Sequence, residues 1–342
     1  MSDVRIGTLG AARITPMALI RPARELTGVS ITAVAARDRR RAEKFARKHG
    51  IEKVHDDYDA LLADPELDAV YNPLPNSLHA EWTLRALDAG KHVLCEKPFT
   101  SNASQAERVH HAVEQSDRVV MEAFHYRYHP LAQRMRDLVA SGELGQPRFI
   151  ETWMCIPLPL PRDIRYRLDL GGGATMDTGC YAIHVARTIA GEEPIVVSAR
   201  AKLASEGVDR AMEADVRFPS GAEGKINCSL WSWKLGKIAA VVKLDGGEIR
   251  VLNPVVPQFF HGFKWRKTGD PWTKEKFPKK PTYEYQLEAF RDAVVEGKPF
   301  VTTTAEAVKN MKVVDAIYRA AEMEPRRSRG GGGVGMKGPQ SA

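Results

Sequence analysis

Along the first 122 positions, short apolar runs alternate with stretches whose apolar residues recur at helical spacing. The runs predict strands at Val4–Leu9, Ile31–Ala36, Ala69–Tyr71, His92–Cys95 and Val119–Ala123. Helices are predicted between them near Pro16–Leu26, Arg39–His49, Asp57–Ala63, Leu78–Ala89 and Ala103–Gln115. Strands alternating with helices imply βαβ units and a doubly wound parallel sheet, covered on both faces. Such a sheet binds its ligands at the carboxyl ends of its strands.

The pattern then changes. A helix near Pro130–Ala140 leads to a strand-like stretch, Pro147–Cys155, a Pro-rich loop at Pro157–Pro161, and a helix near Ala174–Ala190 closed by Gly191. Met212, Ala214, Val216 and Phe218 alternate with Glu213, Asp215 and Arg217, the period of a strand with one wet face. Similar runs follow at Gly224–Trp233 and Ile238–Lys243, with Gly246 and Gly247 as a hairpin turn. Two closing helices fall near Thr282–Glu296 and Ala305–Ala321. We read an α/β first domain, 1–122, and a second α+β domain, 123–324, built on a mostly antiparallel sheet. Residues 325–342, with Gly330–Gly333 consecutive, are expected to be disordered.

Composition narrows the class. The chain has 342 residues, 43% hydrophobic and 27% charged, which are globular proportions with room for two domains. No apolar run approaches a membrane span, and no signal peptide is evident, so a cytoplasmic protein without a membrane partner is expected. Cys95, Cys155, Cys180 and Cys228 are widely spaced, which fits neither a zinc site nor a disulfide framework. The net charge of +7 is concentrated in the tail from Pro325 and in Lys264–Lys280, leaving the remainder slightly acidic. The excess therefore reads as solvated surface, and no nucleic-acid partner is expected.

Four segments carry candidate chemistry. Val4–Leu9 runs into Gly10-Ala11-Ala12-Arg13-Ile14-Thr15-Pro16. A dinucleotide site needs a glycine at the tight turn, a small residue beneath the pyrophosphate, and free N–H groups at a helix start. Gly10 and Ala12 fit the first two roles, with Arg13 and Ile14 completing the turn. Thr15 takes the place normally held by Gly or Ala, and an ordinary strand-to-helix turn would read much the same. At the end of the second strand, Arg37 and Arg40 favour the 2′-phosphate of NADP(H), with NAD(H) possible. The alternative is a solvated helix start capped by Asp38.

Glu96-Lys97-Pro98 directly follows a buried strand, where an amine would project into the ligand crevice. In the second half, Gly171-Gly172-Gly173 precedes Asp177, Tyr181 and His184, which share one helix face at i, i+4 and i+7. Tyr181 and His184 could equally be satisfied core groups. His125 and His129 are four apart, but Pro130 interrupts the helix and no further ligand is near, so no metal is expected.

Together these segments, with Asn72-Pro73-Leu74-Pro75-Asn76-Ser77-Leu78-His79, resemble the Gfo/Idh/MocA oxidoreductases over most of residues 1–322. The tyrosine at 181, where many members have histidine, resembles the branch of glucose–fructose oxidoreductase and dimeric dihydrodiol dehydrogenase. The resemblance implies hydride transfer between a nicotinamide and a hydroxyl or carbonyl carbon of a sugar, cyclitol or dihydrodiol. It also implies a doubly wound Rossmann first domain, a large, mostly antiparallel open sheet in the second, closing helices that pack near the first domain, and a homodimer or homotetramer formed through the second sheet.

On that reading Tyr181 is the proton donor and acceptor, and Lys97 lowers its pKa and steadies the substrate oxygen. Asp177 orients the lysine or a substrate hydroxyl. Pro75, Asn76, His79, Glu96 and Lys97 surround the nicotinamide. Arg127 and Arg165 contact polar substrate groups, with His184 a weaker candidate. An NAD-dependent glycosidase of the same fold and a non-catalytic nucleotide sensor are the alternative functions.

Overall fold

The computed structural model describes residues 3–160, 163–232, 234 and 236–327. Among these residues the chain builds two sheets. The first comprises β1 (Val4–Leu9), β2 (Val29–Ala35), β3 (Lys53–His55), β4 (Ala69–Asn72), β5 (His92–Cys95) and β6 (Val120–Glu122), in the order β3-β2-β1-β4-β5-β6. All its pairings are parallel. The order reverses between β1 and β4, and a crevice opens beyond the carboxyl ends of strands at such a switch point.

The connecting helices follow local chemistry. A wide π-turn at Pro16–Ile20 runs into α1 (Arg21–Glu25), where a single regular helix is predicted from the sequence. In α2 (Arg39–His49), the Asp38 carboxylate caps the start by accepting the Arg41 N–H at 3.3 Å, and Gly50 closes the end in the left-handed region. The layer is completed by α3 (Tyr58–Leu62), α4 (Asn76–Asp88) and α5 (Ala103–Glu114).

The second half begins with α6 (Pro130–Ala140), β7 (Pro147–Cys155) and α7 (Cys180–Ala190). Its strands continue with β8 (Ile195–Ser205), β9 (Val208–Arg217), β10 (Glu223–Ser229), β11 (Ile238–Leu244), β12 (Gly247–Leu252), β13 (Gly262–Lys267) and β14 (Thr273–Glu275). The sheet order is β14-β13-β12-β11-β7-β10-β9-β8. Only β7 and β10 pair in parallel among these neighbours. Nearly all of α7 is buried, and Thr152 of β7 donates to the Ala182 carbonyl at 2.9 Å, tying helix to sheet.

The two closing helices, α8 (Thr282–Glu296) and α9 (Thr304–Ala320), return to the first sheet. Tyr283, Leu287 and Phe290 of α8 share a core with Val4, Ile6 and Leu19, while α9 packs on α5. Part of the chain's carboxyl end is thereby buried under its amino-terminal half. Hydrophobic burial drives this return.

The predicted disorder from 325 onward needs correction at its start. Arg326 is 2% exposed and ion-paired, because Asp209 lies in reach to compensate its desolvation. Residues 328–342 lie outside the described residues.

Candidate active site

The loops after β4 and β5 meet the segment before α7, and the turn after β1 lies against Leu74 of the β4 loop. At that turn Gly10 has φ +98°, a conformation that favours glycine, and its N–H bonds the Ala35 carbonyl at 2.7 Å. Among the described residues, no acceptor meets the N–H groups of Ala12, Arg13 or Ile14. The buried Thr15 hydroxyl has no partner either. Unpaired N–H groups ahead of a helix favour an anion, so the turn fits a dinucleotide pyrophosphate.

Arg37 and Arg40 are exposed beside it and make no ion pair among the described residues. Arg41, not singled out from the sequence, donates to the Ala11 carbonyl at 2.8 Å and so lies across the turn. Its signal was available: Arg37 and Arg41 are four apart in the same basic run.

The loop after β4 is a scaffold. Asn76 donates to the Gly171 carbonyl at 2.9 Å, linking the two halves, and Pro75 stands half-buried at the start of α4. His79 is 1% exposed, with its ring nitrogens 2.7 Å from the Leu74 carbonyl and 2.8 Å from the Pro98 carbonyl. Burial pulls its pKa down to about 4. The imidazole thus pins the loop to Lys97-Pro98 from beneath.

Lys97 and Asp177 form the centre. The Lys97 ammonium donates to Asp177 Oδ1 at 3.1 Å and to the Asp177 carbonyl at 2.9 Å. Arg165 holds the other carboxylate oxygen at 2.9 Å, and also pairs with Asp163. Their side chains are 14% exposed for Lys97, 16% for Asp177 and 42% for Arg165, so the cluster opens to the crevice. Burial opposes both central charges, yet their mutual attraction prevails: the lysine pKa is raised and the carboxyl pKa lowered.

Tyr181 joins this pair: the Lys97 nitrogen sits 4.8 Å from the centroid of its ring. The phenol is 5% exposed, and its oxygen lies 3.0 Å from His125 Nε2. His125 Nδ1 lies 2.8 Å from the Thr282 hydroxyl, and burial holds its pKa down at about 3. The neutral ring can therefore donate to one of these two hydroxyls while accepting from the other. The tyrosine acidity expected from the sequence is overturned. Burial, reinforced by Tyr283, Glu96, Cys180 and Asp177, pushes the phenol well above its ordinary pKa. Two of the amine's three N–H donors go to Asp177, and the ammonium also faces the ring.

Tyr71 donates to Glu96 at 2.6 Å behind the lysine, and burial raises the Glu96 pKa. Glu122 accepts the Phe99 N–H at 2.9 Å just past Pro98, and its burial raises its pKa to about 8.

One expectation fails beside this cluster. His184 stacks on Phe124 at 4.0 Å, bonds the Tyr126 hydroxyl at 2.7 Å and is buried, so it is a core group. The reason is the turn before it: Thr175–Gly179 forms a wide π-turn, not regular helix, so the spacing from Asp177 no longer fixes a common face. Arg127 is half-buried, makes no ion pair among the described residues, and adds its charge beside Tyr126 and His184. His125 and His129, weighed from their spacing as ligands, point to different partners, Tyr181 and Pro278.

Comparison with known proteins agrees with this architecture. Residues 4–124 match the model of an oxidoreductase family with an NAD-binding Rossmann fold, GFO_IDH_MocA, and residues 132–250 match the GFO/IDH/MocA C-terminal domain. A D-xylose 1-dehydrogenase (NADP(+)) of Haloferax volcanii is 38% identical, covering 92% of this chain and 97% of its own. A trans-1,2-dihydrobenzene-1,2-diol dehydrogenase of Sus scrofa is 30% identical over 66% of each chain. Among solved structures, the 3-ketoreductase KijD10 of Actinomadura kijaniata, in complex with NADP and TDP-benzene, superposes with a TM-score of 0.85. It is 29% identical, and the match covers 93% of this chain and 98% of that one. This chain belongs to the Gfo/Idh/MocA family of oxidoreductases.

Proposed function

We propose that the protein is an NADP(H)-dependent oxidoreductase interconverting a hydroxyl and a carbonyl carbon on a sugar, cyclitol or dihydrodiol-type substrate. The observation that carries the reading is the Lys97–Asp177 pair set against the Tyr181 ring at the mouth of a nucleotide-type crevice. Relatives named as an NADP(+) D-xylose dehydrogenase and as a dihydrodiol dehydrogenase support it.

The Gly10 turn and the N–H groups of Ala12, Arg13 and Ile14 would hold the pyrophosphate, with Arg37, Arg40 and Arg41 on the 2′-phosphate. A bound nicotinamide supplies or accepts the hydride. Tyr181, kept protonated by its burial, donates a proton to the oxygen of a carbonyl being reduced, and takes it back in oxidation. Lys97 stabilises negative charge developing on that oxygen, and Asp177 with Arg165 fixes the ammonium in place. His125, as the tautomer that accepts from Thr282 at Nδ1, donates its Nε2–H to the phenol oxygen, which fixes the phenol and leaves its own proton for the substrate. The division at 1–122 and 123–324 then assigns cofactor binding chiefly to the first part and substrate contacts to the second.

A panel of aldoses, polyols, ketoses and dihydrodiols, followed by nicotinamide absorbance with each cofactor, tests the reading. Oxidation or reduction with NADP(H) is expected. Cofactor that binds yet never changes oxidation state across the panel would point instead to a glycosidase-type or sensing role.

We infer a homodimer or homotetramer through the second sheet, which exposes Ile195, Val197, Leu203 and Leu252. Light scattering that gives a monomer at micromolar concentration would remove this inference. A cytoplasmic location is supported by the four unpaired cysteines; cell fractionation that recovers the protein outside the cytoplasm would contradict it.

A further inference from the structure

Past the end of α9, the chain turns back into the protein, and Arg326 enters a fully enclosed polar knot. Its Nη2 donates to Asp209 Oδ1 at 2.8 Å, and its Nε donates to the Gly172 carbonyl at 2.7 Å. The guanidinium lies 4.1 Å from the centroid of the Tyr318 ring, whose hydroxyl also donates to Asp209 at 3.0 Å. Asp209 Oδ2 accepts two more bonds, from the Thr175 N–H and hydroxyl, both at 2.7 Å. Asp209 is 0% exposed, so only this number of charge-assisted donors makes its burial tolerable.

The knot grips the segment that leads to Asp177. Gly173 has φ +130°, and a Cβ there would collide with both Asp209 and Arg326, which explains the glycine. The Gly173 carbonyl in turn accepts the Asp177 N–H at 3.0 Å. On the other side, the Arg326 carbonyl accepts a bond from Asn102 Nδ2 at 2.7 Å. Asn102 stands five residues beyond Lys97, in a loop whose Ser101 hydroxyl donates to the Asn76 carbonyl at 3.4 Å. One residue therefore touches both segments that supply the Lys97–Asp177 pair, although those segments come from opposite halves of the chain.

We propose that Arg326 is a positioning residue that sets the register between the Lys97 loop and the Asp177 turn, and hence the rate of the chemical step. The idea rests on the reading of Lys97, Asp177 and Tyr181 as the reacting cluster. Substrate and cofactor contacts lie elsewhere, so losing Arg326 lowers kcat and leaves cofactor affinity in place.

The test uses the full chain with Arg326→Ala, Arg326→Lys, Lys97→Ala and Tyr181→Phe. It needs a substrate from the panel above and NADPH carrying deuterium at the transferred position. Arg326→Ala is expected to lower kcat per folded molecule at least about tenfold, with NADPH Kd within about twofold. The deuterium isotope effect on kcat should rise, because a misaligned pair slows hydride transfer itself. Arg326→Lys, which restores the charge opposite Asp209, should recover part of the rate. A role confined to stability would lower Tm and leave kcat and the isotope effect of the folded fraction unchanged; that result overturns the proposal. If Arg326→Ala does not fold, Asn102→Ser carries the test. It keeps a capping hydroxyl for α5 and removes only the bond to the Arg326 carbonyl, so an unaltered kcat and isotope effect there count against positioning. Should Lys97→Ala and Tyr181→Phe keep normal turnover, the underlying assignment of the reacting cluster falls. Loss in those two with full activity in Arg326→Ala removes the positioning proposal alone.

Discussion

The Lys97 ammonium faces the ring of Tyr181, 4.8 Å from its centroid, while its hydrogen bonds run to Asp177. A cation placed there favours the ring's electron-rich face and leaves the hydroxyl to His125. The two residues are separated by more than eighty positions; Lys97 follows a strand of the first sheet and Tyr181 belongs to α7, which packs on the second. Their arrangement divides the labour of the site: the tyrosine keeps its proton and the lysine keeps its charge.

Tyr181→Phe removes the proton donor without disturbing the ring that packs under Lys97. Turnover should fall at least about a hundredfold, with cofactor affinity unchanged in a fluorescence titration. Near-normal activity would falsify the assignment. Because burial raises the phenol's pKa, it stays protonated through the neutral range. Carbonyl reduction should therefore show no ionisation of Tyr181 between pH 6 and 9. A limb in the pH–rate profile that lies in this window and vanishes in Tyr181→Phe would contradict the structure.

Lys97→Met deletes the charge but fills the space. Asp177 is then left to Arg165 alone, and the substrate oxygen loses its cation. A drop of at least about a hundredfold in kcat is expected, with folding retained by circular dichroism. Asp177→Asn should be milder in binding yet clearly slower, since a neutral amide still accepts from Lys97 but no longer holds its charge. Equal activity in Asp177→Asn and the parent would show that the carboxylate does not matter.

Much of this was legible in the sequence. β1, β4 and β5 are almost wholly buried, so their apolar runs stand out, and the basic start of α2 directly follows β2. β3 is only three half-buried residues, β8 exposes Ile195, Val197 and Leu203, and β13 runs into the basic stretch that reads as surface. None of these presents an alternation with one clean apolar face, so none was predicted. Lys97, Asp177 and Tyr181 stood out by motif, but their meeting is a long-range fact. Two errors share one cause. The acidity of Tyr181 depends on desolvation, and the burial of Arg326 depends on Asp209, 117 positions away; neither leaves a local mark.

Cofactor choice should respond to the arginines beside the glycine turn. Arg37→Ala and Arg41→Ala are each expected to weaken NADPH about tenfold or more, equivalent to roughly 1.4 kcal/mol, while NADH changes by less than about twofold. Arg41 also braces the Ala11 carbonyl, so a small common loss for both cofactors is expected in that variant alone. Titrations in which NADH binds as tightly as NADPH, with Arg37→Ala silent, would assign the site to NAD.

Stability should carry the mark of Glu122. This carboxyl is 1% exposed, and its pKa is raised from 4.5 to about 8 as burial outweighs the bond from Phe99. A raised acid binds its proton more tightly folded than unfolded. Its contribution to stability is therefore intact below about pH 4.5, declines as pH climbs, and is fully lost above about pH 8. Glu122→Gln keeps an oxygen to accept the Phe99 N–H and cannot ionise. The variant should match the parent near pH 4.5 and exceed it at pH 9 by roughly 3–5 kcal/mol in urea unfolding. Every other titrating group is common to both proteins, so the difference curve isolates this one. Parallel curves from pH 5 to pH 9 would mean that Glu122 is ionised in the folded protein at neutral pH, held by Lys97 and Arg187, whose charges lower its pKa. The carboxylate beside the Lys97 loop would then be a standing charge in the site, and the rate of Glu122→Gln, not its stability, would be the quantity to change.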